Sequence, residues 1–165
     1  MSVCIHTSWG DIVMEEKGGA LRSCTLPTWH RAPRRPFKVT GVSSTDGVVT
    51  AKTLRDVGQF AKACFEGRAA TLPSFLFPDG PAFHRKVWKA LLRIPAGRTQ
   101  SYGALARRIG HPRAARAVGQ ACGANPLPLI IPCHRVTAVH GALGGFSCGL
   151  AWKELLLDRE RDGAH

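Results

Sequence analysis

Between Asp79 and Glu154 the chain has no acidic residue, while eleven lysines and arginines fall in the same stretch. A solvated surface ordinarily mixes signs. A one-sign stretch this long is the electrostatic footprint of a polyanion binder, although a basic protein with no nucleic-acid role has the same composition. No apolar run approaches the roughly 20 residues that span a bilayer. Residues 1–25 have Asp11, Glu15 and Glu16 but no hydrophobic signal core, so no secretory peptide is expected and the chain reads as soluble and intracellular. Low-complexity runs are missing too. The six cysteines (Cys4, Cys24, Cys64, Cys122, Cys133, Cys148) lack the tight spacing of a disulfide framework, which favours reduced thiols, most of them small buried hydrophobes.

At 165 residues the chain can bury a real core, as one domain or two small ones. Net charge is +12, and residues 80–165 hold 13 Lys and Arg against 4 Asp and Glu. "DIVMEE" and "ALRSCTLP" flank Gly18 and Gly19 and read as a hairpin. The Pro- and Arg-rich "HRAPRRPFK" (30–38) reads as a loop. Leu54, Val57, Ala61, Cys64 and Phe65 predict a helix over 52–67, stopped by Gly67. "FPDGPA" (77–82) is a hinge that divides an α/β unit, residues 1–79, from a mostly helical unit, residues 80–165.

After the hinge, Phe83, Val87, Trp88, Leu91 and Leu92 share one broad helical face that ends at Pro95. "SYGALARRIG" has Ser101 as N-cap and Gly110 as its stop; "RAARAVGQACG" follows, with Pro112 expected at the first helical position. Two short helices across a tight turn form a helix-turn-helix candidate. In the second, Ala114, Ala117, Val118 and Ala121 make a small-residue stripe, and Arg113, Arg116 and Gln120 are expected on another face. Small residues with Gly119 serve close helix packing and insertion into a nucleic-acid groove equally well.

The chemistry-bearing stretch is "IIPCHRV" (130–136). A thiol is a strong nucleophile as thiolate, and a nearby histidine that takes its proton is the usual device. Neighbours in a strand point to opposite sides, so Cys133 and His134 can cooperate only if Pro132 ends the strand. A third group should orient the imidazole. In the last helix Leu150, Glu154 and Leu157 fall at i, i+4 and i+7, which puts Glu154 on an apolar face where it needs a partner. Cys133, His134 and Glu154 thus form a relay hypothesis, with a structural cysteine and a surface glutamate as the alternative.

From "FHRKVWKALLRI" through "SYG", "ARAVG", "NP" and "PCHRV" to "GALGGFSCGLAWKELLL", roughly residues 83–157, the chain resembles the O6-alkylguanine-DNA alkyltransferases, the methylated-DNA–protein-cysteine methyltransferases. The N-terminal third is similar only in length and in its hairpin-then-helix plan. The resemblance implies a ribonuclease H-like α/β unit, a small antiparallel sheet with a helix, before a winged-helix-like DNA-binding domain. It implies that Cys133 accepts the alkyl group of O6-alkylguanine, and of O4-methylthymine, by in-line displacement. His134 would be the base through a bridging water, with Glu154 polarising it. Tyr102 would donate to N3 of the leaving base, and Asn125 would tie the helix-turn-helix to the active segment. Arg116 would enter the duplex as a finger, with Ser101, Arg113, Ala117, Gly119, Gln120 and Arg135 also on DNA. Tyr102, Pro128, Val136, Ser147 and Cys148 would line the base pocket.

The implied partner is double-stranded DNA, bound largely without sequence preference through the minor groove by a monomer, with cooperativity along the duplex in view. The target base is flipped out of the stack, and the protein works once. No cofactor is expected. Two departures bear on the pocket: Cys148 stands where glycine is common and Phe146 where tyrosine is common. "TSWGD" (7–11) departs from the expected Ser-Pro start of a hairpin. Cys4, Cys24, His30 and His84 are the metal-ligating types available near the sheet, their spacing matches no tight zinc motif, and no metal is expected. Three other readings explain less. A recogniser of alkylated bases would lack the acceptor cysteine, a turnover cysteine hydrolase leaves the basic stretch unexplained, and a helix-turn-helix regulator leaves "PCHR" unexplained.

Overall fold

Gly18 and Gly19 both take positive φ, 62° and 82°, the geometry of a two-residue turn whose twist matches that of its flanking strands. The computed structural model describes residues 1–45 and 49–163. The strands on either side of the turn, β2 (Ile12–Lys17) and β3 (Ala20–Thr25), pair antiparallel as the sequence predicts. Two further strands, β1 (Ser2–Thr7) and β4 (Val39–Ser44), complete an antiparallel sheet of order β3-β2-β1-β4. The Pro- and Arg-rich stretch is the irregular connection between β3 and β4.

Helix α1 (Ala51–Phe65) starts at Thr50, whose hydroxyl accepts from the Thr53 amide at 3.1 Å. It lays Val57, Phe60, Ala61 and Phe65 into the core. Gly67, at φ 71°, follows just past its end. The helical half runs α2 (Ala82–Leu91), α3 (Tyr102–Arg108), α4 (Ala115–Gly123) and α5 (Leu150–Asp162). One feature of the α3–α4 turn departs from expectation. Helix α4 begins at Ala115 with Ala114 as its cap, so Pro112 lies in the turn rather than at the first helical position, and Arg113 precedes the helix. Arg113 therefore shares no helical face with Arg116 and Gln120.

The apolar cluster is continuous across the irregular stretch before α2, joining residues from both sides of it. Trp152 of α5 packs edge-on against Trp9 at 5.4 Å and Phe37 at 5.7 Å between ring centroids. Its indole N–H donates to the Pro27 carbonyl at 2.6 Å. This anchor fixes α5, and with it one wall of the site, onto the N-terminal sheet. Gly149, the residue before α5, sits at φ 96° with its open side against the Trp29 backbone. Gly149→Ala adds a methyl group where backbone already lies and forces a left-handed residue. We expect a loss of about 3 kcal/mol in unfolding free energy, read by denaturant titration.

Candidate active site

Residues 126–131 run through bends and turns, with Leu129 at φ 75° and the Ile131 amide bonded to the Leu127 carbonyl at 2.8 Å, so the expected strand does not lead into Pro132. After it, Cys133–Arg135 form one turn of 3-10 helix, which places adjacent side chains around a turn instead of on opposite faces of a strand. Asn125, just past the end of α4, holds that turn. Its side-chain amide donates to the Ile131 carbonyl at 2.8 Å and to Cys133 Sγ at 3.2 Å, and its Oδ1 accepts from the Leu127 amide at 3.0 Å. The expected tie between the helix-turn-helix and the active segment is thus a set of three hydrogen bonds from a buried side chain. The parallel pair β5 (Gln100–Ser101) and β6 (Val136–Thr137) makes a second tie, joining the start of α3 to the residues after the thiol.

Cys133 is 4% exposed. Burial pushes its thiol up to about 11, against the opposing pull of the Asn125 donor, so the resting group is a protonated thiol. His134 is fully buried, and that burial lowers it while hydrogen bonding to a carboxylate pulls it back. The carboxylate is Glu160, not Glu154: His134 Nε2 lies 2.9 Å from Glu160 Oε1, and Glu154 is exposed on the far side of α5. The buried face of α5 is Ala151, Trp152, Lys153, Leu156 and Glu160. Three consecutive leucines, 155–157, satisfy helical spacing in more than one phase, so Leu157 could not fix it. Trp152, Leu156 and Glu160 at i, i+4 and i+8 carried the right signal.

Glu160 also receives Arg135, whose Nε lies 3.0 Å from both carboxylate oxygens and whose second nitrogen lies 2.7 Å from one of them. The Gly97 amide adds a fourth donor group. Burial alone would raise Glu160, but the His134 and Arg135 contacts outweigh it and hold the carboxyl at about 2. An ionised Glu160 accepting Nε2–H leaves the lone pair on Nδ1. That atom is buried and has no hydrogen-bond partner among the described residues. The expectation that Arg135 reaches DNA is corrected here: its guanidinium turns inward onto Glu160 and the Ile94 carbonyl.

Beside the thiol lies a cavity of about 540 Å³ lined by Tyr102, Arg116, Gly119, Cys122, Cys133 and Ser147, among others. Tyr102 is held over it by its hydroxyl, 3.5 Å from the Gly145 carbonyl. The sequence did not single out Lys153. Its side chain is fully buried, and its ammonium donates to the carbonyls of Val136 at 2.6 Å and Gly145 at 3.2 Å, 5.8 Å from the Tyr102 ring centroid. It therefore clamps the loop around Gly145 to β6. A lysine in phase with Trp152 and Leu156 was the available clue.

Several expected pocket residues stand back from the cavity. Pro128 and Val136 are buried outside its lining, and Cys148, half-buried, lies beside Ser147 without joining the wall; Phe146 and Cys122 take part instead. Ser101 caps α3, its Oγ accepting from the Ala104 amide at 3.1 Å. Arg113 and Gln120 are exposed and Ala117 is half-buried, all three off the cavity wall, while Arg116 is exposed at its mouth.

A histidine held by a buried carboxylate, a buried thiol next to it in the chain, a cavity at the thiol and Arg116 at its mouth make a candidate nucleophile site within the basic stretch of the chain. Residues 82–162 match the family described as 6-O-methylguanine DNA methyltransferase, DNA binding domain. The methylated-DNA–protein-cysteine methyltransferase of Methanosarcina mazei is 44% identical over 117 residues, 71% of this chain and 74% of the relative. The chain belongs to the methylated-DNA–protein-cysteine methyltransferase family. The Mycobacterium tuberculosis protein of the same name is 47% identical over 102 residues, 62% of each chain. A crystal structure of Mycobacterium tuberculosis OGT in complex with DNA aligns with a TM-score of 0.75 and 34% identity, covering 96% of this chain and 91% of that one. The methyltransferase reading thus extends beyond the helical half to the N-terminal sheet, and the site described above lies inside the matched DNA-binding domain. Among the described residues no helix is long and apolar enough to cross a membrane.

Proposed function

We propose that this chain repairs alkylated DNA by moving the alkyl group of O6-alkylguanine onto Cys133. The observation that carries the reading is the hydrogen-bonded chain Glu160–His134, with its unpartnered Nδ1, next to Cys133 at the wall of a base-sized cavity. Water bridges Nδ1 and the thiol and carries the Cys133 proton to His134; Glu160 stabilises the imidazolium that results. The thiolate attacks the alkyl carbon in line, a C–S bond forms and the C–O bond breaks, and the electron pair leaves with the guanine oxygen. Tyr102 donates to N3 of the departing base, and the proton taken from the thiol ends on guanine. Exclusion of bulk solvent matters here, because an alkyl group on an aromatic oxygen is a weak electrophile and needs a thiolate solvated by little more than the bridging water.

The reacting carbon is out of reach inside a stacked duplex, so the nucleotide is flipped. Arg116, exposed at the cavity mouth on α4, fills the space it leaves from the minor-groove side. Residues 80–165 carry the DNA surface and the acceptor, and residues 1–79 brace α5 through the Trp152 anchor. The sheet with α1 fits a ribonuclease H-like unit, and α3 with α4 a winged-helix-like one. O4-methylthymine is the secondary substrate. The protein acts as a monomer, with cooperativity along DNA a property of the crowded duplex, and works wherever the cell keeps its DNA, in prokaryotic cytoplasm or a eukaryotic nucleus. A thioether is a poor leaving group, so each molecule turns over once.

Incubation with a duplex carrying labelled O6-methylguanine should place one label per protein on the peptide containing Cys133 and then stop. Cys133→Ala should take up no label and still bind the duplex. Label that stays on DNA would remove the assignment, and label released with continued turnover would remove the single-use mechanism.

A further inference from the structure

Cys4 is 5% exposed yet stands apart from the hydrophobic core, on the face of β1 opposite Val3 and Ile5. His6, two residues on, shares that face. Asp11 lies just ahead of β2, beyond the last paired residues Ile5 and Ile12. His6 Nδ1 is 3.7 Å from Cys4 Sγ and 3.1 Å from Asp11 Oδ1, and one ligand atom from each of the three residues lies within 4.8 Å of the others. We propose that Cys4, His6 and Asp11 bind a borderline divalent cation of the zinc class, leaving one coordination position to solvent.

Ligand spacing supports the assignment. Tetrahedral zinc with bonds of about 2.3 Å to sulfur and about 2.1 Å to nitrogen and oxygen has an S···N edge of about 3.6 Å and an N···O edge of about 3.4 Å. The observed 3.7 Å and 3.1 Å need only small adjustment. His6 is also oriented as a ligand. Its Nε2 lies 2.8 Å from Ser43 Oγ on β4; with that hydroxyl accepting Nε2–H, the Nδ1 lone pair faces the thiol and the carboxylate. A thiolate and a carboxylate together balance a divalent charge, and binding releases one proton from Cys4. Access is open, since the His6 and Asp11 side chains are 40% and 54% exposed. Among the described residues this is the one group of three or more ligand types within coordinating reach. The set is local to β1 and its turn: Cys24 is packed in the core, and of the types singled out from the sequence only Cys4 takes part.

Cobalt(II) titration of the chelator-treated full chain tests this. One equivalent should bind, with a sulfur-to-cobalt charge-transfer band and intense visible bands of a low-coordinate ion. Cys4→Ser should abolish the charge-transfer band. Asp11→Asn, at an exposed position that leaves folding intact, should weaken binding at least about tenfold, and Ser43→Ala should weaken it about tenfold while keeping the band. Cys133→Ala should change neither band nor affinity. A band that follows Cys133 or another thiol instead of Cys4, affinity indifferent to Asp11→Asn, or no saturable binding would each overturn the proposal.

Discussion

Glu160→Gln should lower the rate of methyl transfer to Cys133 about a hundredfold, and Glu154→Gln should leave it unchanged. An amide oxygen can still accept from His134 Nε2–H, so geometry survives, but a neutral group cannot stabilise the imidazolium that forms when the thiol is deprotonated. General-base contributions are roughly 10²–10⁴-fold. The lower end applies because Arg135 and the Gly97 amide keep the side chain in place. The same change removes the anion that faces both His134 and Arg135. Breaking a buried pair costs about 3–5 kcal/mol, and the 18% exposure of the Arg135 side chain argues for about 3. Transfer should therefore be compared at a temperature where circular dichroism finds both proteins folded. Parental rates in Glu160→Gln, or lost activity in Glu154→Gln, would take Glu160 out of the relay.

The pH dependence follows with its sign. Glu160 is held at about 2 in the folded state against an ordinary value of 4.5. Its contribution to stability is thus complete above about pH 4.5 and is lost as pH falls toward 2. The parent should lose thermal stability across that window more steeply than Glu160→Gln, which has no carboxylate left to protonate. His134 carries the same sign: burial, the larger influence, lowers it from the usual imidazole range, so a fall in pH also disfavours its buried, neutral form.

Arg116→Ala should slow transfer from duplex DNA about a hundredfold and change transfer from free O6-methylguanine base by less than about twofold. Extruding a base costs a few kcal/mol, and each 1.4 kcal/mol of barrier is about a factor of ten. A finger that fills the vacated stack offsets part of that cost only when there is a stack to fill. Arg116 makes no hydrogen bond to the thiol, His134 or Glu160, so chemistry on a free base should proceed without it. Rates falling equally on both substrates would mean that Arg116 shapes the pocket rather than the duplex. Arg116→Lys should retain part of the duplex activity, since the charge stays and the planar fork is lost.

Those two residues illustrate what could be read along the chain. Local pattern alone marked Cys133 and His134, a thiol beside an imidazole, and Arg116 on a small-residue helix; Tyr102 and Asn125 were named through the resemblance of the motifs that carry them. The β2–β3 hairpin was legible for the same reason, since Gly18 and Gly19 encode the turn themselves. Strands β1 and β4 are joined through pairing across the long 26–38 loop, and no local signal of comparable strength marks them.

The carboxylate went the other way. Glu154 and Glu160 sit on one helix, and local periodicity with three adjacent leucines allows either to face inward. What decides between them is where α5 docks. Trp152 against Trp9 and Phe37 fixes the rotation of the helix, and that rotation sends Lys153 and Glu160 into the site and Glu154 into solvent. The inward turn of Arg135 follows from the same docking, because a buried carboxylate attracts the nearest guanidinium more strongly than solvent does. By itself, then, the sequence determined the adjacent thiol and imidazole and the acid-free basic stretch, which depend on residues close in the chain. Only the tertiary structure decided which acid completes the relay, because the rotation of a docked helix is set by side chains more than a hundred residues away.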